Sequence, residues 1–355
     1  MVAVSAMPRE VVIAGRRIGA GQPPYVVAEL SANHGGSLER ALAVMEAAKV
    51  AGADAIKLQT YTADTITIDH DGPEFVIQGG LWDGRRLYEL YQEAHTPWEW
   101  HAALFAKGKA LNIPVFSTPF DDTAVDLLEG LGAPAHKIAS FEMIDLPLVR
   151  RVAATGKPTI ISTGMASPDE IGDTVDAFRG AGGRDLVLLH CVSGYPTPVE
   201  QANLRRIPEL AAAFGVPVGL SDHTLGTEVA VASVVLGACV IEKHFTLRRA
   251  DGGPDAAFSL EPPELAALVR GARSAFDALG TGDAARAEVE KGSLVFRRSI
   301  YVVRDVAKGG TFTADNVRII RPGYGLAPKY LPEVLGRRAR CAVARGTRLT
   351  WELVE

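Results

Sequence analysis

Short apolar runs recur along most of the chain, each followed by a segment whose apolar positions return every three or four residues. The runs lie at residues 25–30, 53–59, 114–117, 136–139, 159–162, 186–190, 216–223 and 240–246. They read as buried strands, being rich in Val, Ile and Leu and bounded by turn residues. The intervening segments read as helices over 38–51, 98–111, 123–131, 146–154, 168–178, 204–214, 227–236 and 262–279. Similar separators close several helices: Ala51-Gly-Ala53, Leu131-Gly-Ala133, Ala181-Gly-Gly183 and Leu236-Gly-Ala238. A glycine there supplies the positive φ that stops a helix and turns the chain into a strand. Eight βα units over roughly 255 residues predict a closed (β/α)₈ TIM barrel spanning 25–280. A doubly wound open sheet is the competing architecture. It would place a nucleotide-binding glycine loop after the first strand, where this chain has Ser31-Ala-Asn-His-Gly-Gly36, which is not GxGxxG.

Three stretches interrupt the rhythm. Residues 10–18 alternate weakly around Ala14-Gly15 and predict a small hairpin or plug, so 1–24 is set apart from the barrel. Residues 64–97 are too long for an ordinary βα loop, yet carry Phe75, Leu81, Trp82, Tyr88, Leu90 and Tyr91, with Trp98 just beyond. Long loops of this kind are functional or disordered, and the aromatic content argues for an ordered lid or wall at the barrel mouth. Beyond Gly280 the pattern weakens. Residues 281–296 read as a linker with one helical turn. Residues 297–355 carry short β segments broken by glycine turns, the pattern of a small, mostly β domain that is marginal alone.

Composition narrows the class. Hydrophobic residues make up 47% and charged residues 22%, and the net charge of -5 comes without a basic stripe, which excludes a typical nucleic-acid binder. No apolar stretch is long enough to span a membrane, and residues 1–10 lack the pattern of a secretory signal. Cys191, Cys239 and Cys341 form no CxxC, so a reducing cytoplasm is the simplest setting.

Polar groups gather at the carboxyl ends of the strands, where α/β enzymes place their chemistry. They include Glu29, Asn33, His34, Lys57, Gln59, Lys137, Ser140, Glu142, Ser162, His190, Ser193, Tyr195, Ser221, Asp222, His223, Glu242, Lys243 and His244. Buried strands rarely carry lysine or glutamate unpaired, so the departures at several strand ends point to one shared pocket. His223 and His244 end adjacent strands and suit Mn²⁺, Fe²⁺ or Zn²⁺, and Mg²⁺ less well. Two histidines leave coordination positions open, as a catalytic ion requires. Lys57 and Lys137 suit a phosphate or carboxylate; internal ion pairs with Glu29 or Glu142 are the alternative. Ser140, Ser162, Ser193 and Ser221 can complete a phosphate cradle, though serine near a turn also has backbone reasons. Glu29 can orient a substrate or act as a base. The turn Asn33-His-Gly-Gly36 is read as functional, whereas His70, His95 and His101 are read as structural or solvent-facing. No nucleophile elbow or Ser-His-Asp order appears.

Ordered motifs then carry a resemblance. Ala28-Glu-Leu-Ser-Ala-Asn-His-Gly35, Ala55-Ile-Lys-Leu-Gln-Thr60, Lys137-Ile-Ala-Ser140, Ser162-Thr-Gly-Met165, Tyr195-Pro-Thr-Pro198, Gly219-Leu-Ser-Asp-His-Thr224 and Glu242-Lys-His-Phe-Thr246 resemble the sialic acid synthases. These transferases condense phosphoenolpyruvate with an amino-sugar aldehyde. Arg321-Pro-Gly-Tyr-Gly325 and Gly336-Arg-Arg338 resemble the family's antifreeze-like (SAF) domain. Within the family, Trp82-Asp-Gly-Arg-Arg-Leu-Tyr-Glu-Leu-Tyr91, Thr96-Pro-Trp-Glu-Trp-His101 and Cys191-Val-Ser-Gly-Tyr195 look like the pseudaminic acid branch. Ala256 stands where the N-acetylneuraminate branch usually has histidine, and Gly36 where asparagine is frequent.

The resemblance implies roles. His223 and His244 would hold a divalent metal, Mn²⁺ first and Mg²⁺ or Co²⁺ next, that polarises the open-chain aldehyde. Lys57, Lys137, Ser140, Ser162, Ser193 and Ser221 would bind the phosphate or carboxylate of phosphoenolpyruvate. Glu29 and Glu242 would lie near metal and sugar, with Gln59, Asp255 and Tyr195 among the substrate-binding groups. Carbon 3 of phosphoenolpyruvate would attack the aldehyde, water would add at carbon 2, and phosphate would leave by C–O cleavage. The resemblance also implies a domain-swapped homodimer in which Arg321 reaches the partner's sugar. For the pseudaminic branch the sugar is 2,4-diacetamido-2,4,6-trideoxy-L-altrose, with the aromatic stretch from Phe75 to Trp100 supplying discrimination. Alternatives are neuraminate or legionaminate synthesis from a manno-type sugar and, more remotely, an unrelated metal-dependent aldolase.

Overall fold

A computed structural model describes residues 10–355. The readings made for residues 1–9, including the absence of a secretory signal and the start of the N-terminal segment, lie outside the described residues. Two compact units are distinguished, one ending at Gly280 and the other spanning Thr281–Glu355.

The first unit opens with an antiparallel hairpin, β1 (Val11–Ile13) and β2 (Arg16–Ile18). Eight parallel strands follow: β3 (Tyr25–Glu29), β4 (Ala55–Thr60), β5 (Val115–Pro119), β6 (His136–Ile138), β7 (Thr159–Ser162), β8 (Leu186–Cys191), β9 (Val218–Asp222) and β10 (Val240–His244). They form a closed barrel, with β10 pairing back onto β3 in the register Val240–Tyr25 to His244–Glu29. Helices predicted over 38–51 and 262–279 are observed as Leu38–Ala51 and Pro262–Leu279. The first is bounded by Ser37, whose side chain accepts from Arg40 N, and by Gly52 in the left-handed region. Gly132, Gly182 and Gly237 likewise have positive φ at the helix-to-strand turns.

Alternation along the strands sorts the side chains into two sets. Residues facing the helices build two large apolar clusters around Val26, Ile56, Ile241 and Leu268, and around Ile138, Ile161, Leu188 and Leu220. Residues facing the barrel axis build a third from Tyr25, Val27, Ala55, Phe116, Ala135, Ile160, Val187, Leu189 and Val240. Val11, Ile13 and Ile18 of the hairpin join that axial cluster, so the amino-terminal end of the barrel is filled with apolar side chains. One alternation step further along the same strands, the axial positions become Glu29, Lys57, Lys137, Ser162, Ser221 and Glu242, all buried. The apolar floor and the polar site are successive layers of one barrel interior.

In the second unit β11 (Ser299–Val302) pairs with β12 (Val317–Ile320), and single bridges join Tyr301–Arg348, Val306–Val343, Thr311–Arg338 and Ala339–Val354. Ile300, Val302, Phe312, Val317, Val334 and Leu349 are among its core residues. The stretch read as a linker with one helical turn instead holds a 3₁₀ helix over Glu288–Phe296, longer than its weak apolar pattern suggested. Among the described residues no helix is long and apolar enough to cross a membrane.

Candidate active site

At the carboxyl ends of the strands Lys57 stands between two carboxylates. Its Nζ lies 2.8 Å from Glu29 Oε2 and 3.3 Å from Glu242 Oε1. Burial disfavours its charge, but Glu242 and Glu29 outweigh burial and hold its pKa above the ordinary lysine value. Burial likewise opposes ionisation of Glu242, yet Lys137, Lys57 and the Ser221 hydroxyl, which donates to Oε1 at 3.1 Å, keep it below the usual range. Burial wins at Glu29 and raises its pKa despite Lys57. Glu242 therefore carries the matching negative charge, and Glu29 is nearer its protonated form.

Lys137 is differently placed. Its Nζ donates to Ser162 Oγ at 2.6 Å and Ile138 O at 2.9 Å, with no carboxylate in direct contact, and burial pushes its pKa down to about 8. Beside it, Gly164 N donates to Ser140 Oγ at 3.0 Å. A Cβ on Gly164 would lie 2.3 Å from Ser193 Oγ and 2.7 Å from Ser140 Oγ, so glycine alone fits between these hydroxyls. Two ammoniums, four hydroxyls and a close backbone approach make a site suited to a compact, multiply charged anion.

The two histidines stand above this layer, ring centroids 5.5 Å apart. His223 Nδ1 donates to Val192 O at 3.0 Å, which leaves Nε2 with a free lone pair for a ligand. His244 Nδ1 is buried without a hydrogen-bond partner, and so is Glu242 Oε2. Burial, reinforced by the neighbouring His223, Lys57 and Lys243 charges, holds His244 well below its ordinary pKa and hence neutral. At His223 burial also disfavours the charge, but Cys191, Val192 O and Glu242 outweigh it and raise its pKa, so a divalent ion there would displace a proton. Among the described residues no cluster of three or more His, Cys, Asp or Glu ligands converges. His223 and His244 are the residues that could hold an ion here, and two donors would leave coordination positions open.

A cavity of about 490 Å³ is lined by His244 and by Tyr195, the ring that packs on His223. One wall is polar: Gln59 Nε2 donates to Glu29 Oε1 at 3.1 Å and Ser31 Oγ at 2.9 Å, and Ser31 donates to Asp255 Oδ2. Glu142 also lines it, with Oε2 unpartnered and its pKa pushed up to about 7 by burial. The opposite wall is apolar and comes from the interruption between β4 and β5. There Ala63–Ile66, Pro73–Phe75 and Leu87–Ala94 are helical, and a narrow flap between them is closed by the Val76–Arg86 bridge. Ile66, Ile77, Trp82, Leu87, Leu90 and Tyr91 face the cavity. Trp82 Nε1 donates to Pro254 O at 3.1 Å, its ring packs 5.6 Å from Tyr195, and Tyr195 packs 4.4 Å from His223.

The structure brings Glu29, Lys57, Gln59, Lys137, Ser140, Ser162, Ser193, Tyr195, Ser221, His223, Glu242, His244 and Asp255 to one end of the barrel. Arg321 follows β12 in the second unit and is exposed there. Other strand-end residues leave the pocket. Lys243 and Asp222 pair with each other on the opposite strand faces, and His190 Nε2 bonds to Ala202 O. Asn33 is spent on Phe245 O and Ser259 Oγ, and His34 packs edge-on to Trp100, so the Asn33–His34 turn supports the rim instead of lining the cavity. Ser31 takes the place expected for that turn. Its φ of 47° aims the backbone there, and no glycine marks the position.

Comparison with known proteins finds relatives along most of the chain. The family model described as NeuB family matches residues 44–284, and that described as SAF domain matches 297–355. A pseudaminic acid synthase of Campylobacter jejuni is 46% identical over 325 residues, covering 92% of this chain and 95% of that protein. One of Helicobacter pylori is 42% identical over 335 residues, covering 94% and 98%. Among solved structures, the N-acetylneuraminic acid (sialic acid) synthetase of Leptospira borgpetersenii in complex with citrate is 33% identical with a TM-score of 0.73, covering 81% of this chain and 96% of that one.

Proposed function

The chain belongs to the NeuB family, and from that premise we propose that it makes pseudaminic acid from phosphoenolpyruvate and 2,4-diacetamido-2,4,6-trideoxy-L-altrose. Its reaction class is that of the phosphoenolpyruvate-dependent nonulosonic acid synthases. The observation that carries the finer reading is the joining of two unlike compartments, the buried lysine–serine layer and the half-apolar cavity, at one pair of histidines. Phosphoenolpyruvate occupies the first, with Lys57, Lys137 and the hydroxyls of Ser140, Ser162, Ser193 and Ser221 holding phosphate and carboxylate. The sugar occupies the second, its polar side toward Gln59, Asp255 and Tyr195. Carbon 3 of phosphoenolpyruvate is thereby held facing the aldehyde carbon, and proximity of this kind lowers the barrier to C–C bond formation. Water adds at carbon 2, and phosphate departs with its charge still matched by the lysines. His223 and His244 would hold a divalent ion, Mn²⁺ in this reading, which would supply Lewis-acid polarisation of the aldehyde. Lys57 serves as an anion binder: a lysine that attacks a carbonyl must be neutral, and two carboxylates hold this one charged. A cytoplasmic homodimer, each C-terminal domain capping the partner's barrel and bringing Arg321 to its sugar, belongs to the same proposal.

The test is phosphate release by metal-reconstituted enzyme given phosphoenolpyruvate and one sugar at a time. The sugars are the altrose, its manno counterpart and N-acetylmannosamine. Preference for the altrose supports the proposal, and turnover of only another sugar overturns the branch. Release with none of them overturns the synthase reading in favour of an aldolase.

Two further outcomes are expected. Lys137 is charged below about pH 8 and neutral above it, and only the charged form holds an anion. The KM for phosphoenolpyruvate should therefore rise as pH passes through 8, and the Lys137→Arg variant should lose that dependence. Trp82→Ala should lower kcat/KM for the altrose about 10- to 100-fold, the scale of an apolar pocket contact. It should leave the KM for phosphoenolpyruvate unchanged and narrow the preference over N-acetylmannosamine, whose extra hydroxyls the apolar wall leaves unpaired.

A further inference from the structure

Asp222 and Lys243 are register partners across β9 and β10, and each immediately precedes one of the two histidines. Lys243 Nζ lies 2.7 Å from Asp222 Oδ2, and the two side chains are 0% and 2% exposed. Alternation turns both away from the site, toward the helices, while Ser221, His223, Glu242 and His244 face the axis. Both also grip the residue that follows His223. Lys243 Nζ donates to Thr224 O, and Thr224 N donates to Asp222 Oδ1 at 2.9 Å.

Position along the strand gives this arrangement its meaning. His244 is the last residue of β10 and still pairs with Glu29. Strand β9 ends at Asp222, and Asp222–Lys243 is its last rung against β10. His223 stands one residue beyond that rung, where the ladder no longer ties it to the strand that carries His244. The ion pair bridges the gap: it is anchored on β10 through Lys243 and closes on the backbone N–H and C=O of Thr224, just past His223. From the far side, Thr197 N donates to His223 O at 3.0 Å.

We propose that the Asp222–Lys243 pair is a positioning clamp that fixes the His223 turn against β10 and so sets the spacing of the two imidazoles for a divalent ion. This inference rests on the assignment of His223 and His244 as the metal pair. Stability alone does not account for the clamp, because well-packed apolar residues of similar volume commonly replace a buried ion pair without loss. Groups that orient ligand histidines from behind, by contrast, commonly change metal affinity by about 10- to 100-fold when removed.

The experiment is calorimetric titration of Mn²⁺ into the metal-stripped full chain, with the melting temperature and far-ultraviolet circular dichroism recorded for each variant. Asp222→Leu combined with Lys243→Met removes both charges together, so neither is left buried alone. Asp222→Glu keeps the pair but displaces it by one methylene, and covers the case in which the double variant does not fold. Expected is a native-like fold with Mn²⁺ bound at least about tenfold more weakly in whichever variant folds. His223→Ala is the control that identifies the site. If wild type binds Mn²⁺ through His223 and the folded clamp variants bind it equally well, the clamp is overturned and the metal assignment stands. If wild type binds no Mn²⁺, or His223→Ala binds it unchanged, the metal assignment is overturned and the clamp falls with it.

Discussion

Lys57→Met is expected to reduce kcat/KM by about 10²- to 10³-fold, the usual consequence of deleting one preorganised group that stabilises developing charge. It is also expected to destabilise the fold by about 3–5 kcal/mol, the scale for removing one partner of a buried ion pair. The reason is geometric. Lys57 separates Glu29 from Glu242 at 2.8 Å and 3.3 Å, and all three are buried. Without the ammonium, two carboxyls share one dry site, and like charges in that position cannot both remain ionised. Glu29, already raised by burial, takes up the proton. The sign of the pH effect follows. A carboxyl whose folded pKa lies above its unfolded value stabilises at low pH and loses that contribution as pH rises through the folded pKa. Lys57→Met should therefore be closest to wild type in acid and furthest from it in base. Chemical denaturation at pH 5.5 and pH 8 measures this directly, and an equal deficit at both pH values would show that the carboxylates are not coupled through Lys57.

His223→Ala should have an effect of comparable size by a different route. Lewis-acid assistance is worth several kcal/mol, and each 1.36 kcal/mol is tenfold in rate, so a loss of about 10³-fold is expected. The same loss should follow treatment of wild type with a chelator, and added Mn²⁺ should restore wild type but not the variant. Stability should change little. The His223 side chain bonds only to Val192 O and, at 3.9 Å, to Cys191 Sγ, and its backbone is held by Thr197. Full chelator-insensitive activity in wild type would remove the metal from the mechanism.

Much of the barrel was legible because local and global signals agree. Residues 38–51 are framed by a serine that caps and a glycine that terminates, and the helix runs between them. Strand order followed from the repetition of the unit. Strand faces were less legible. A run such as Val-Ile-Glu-Lys-His shows that charges are buried at 242–244 without showing which of them share a side. Closure of the barrel decides that Glu242 and His244 face the axis while Lys243 turns outward to Asp222. Asn33 and His34 looked equivalent to the other strand-end polar groups, yet their partners lie in distant segments, Phe245, Ser259 and Trp100. Ser31 gave no signal at all, because its left-handed backbone is imposed by the turn and not by a glycine. The aromatic content of the 64–97 stretch predicted order. That Trp82 would tie to Pro254, across the mouth, depends on a contact 172 residues away in sequence.

The apolar floor has a kinetic corollary. Val11, Ile13 and Ile18 close the barrel from below against Tyr25, Val27 and Val240, so the site is a well with one opening. Lys57 and Lys137, at 4% and 1% exposure, lie at the bottom, and the cavity beside His244 lies nearer the rim. In the proposed reaction the molecules must then queue. The anion descends before the sugar arrives, a sugar that enters first blocks the shaft, and the liberated phosphate waits beneath the newly formed acid until that product has left.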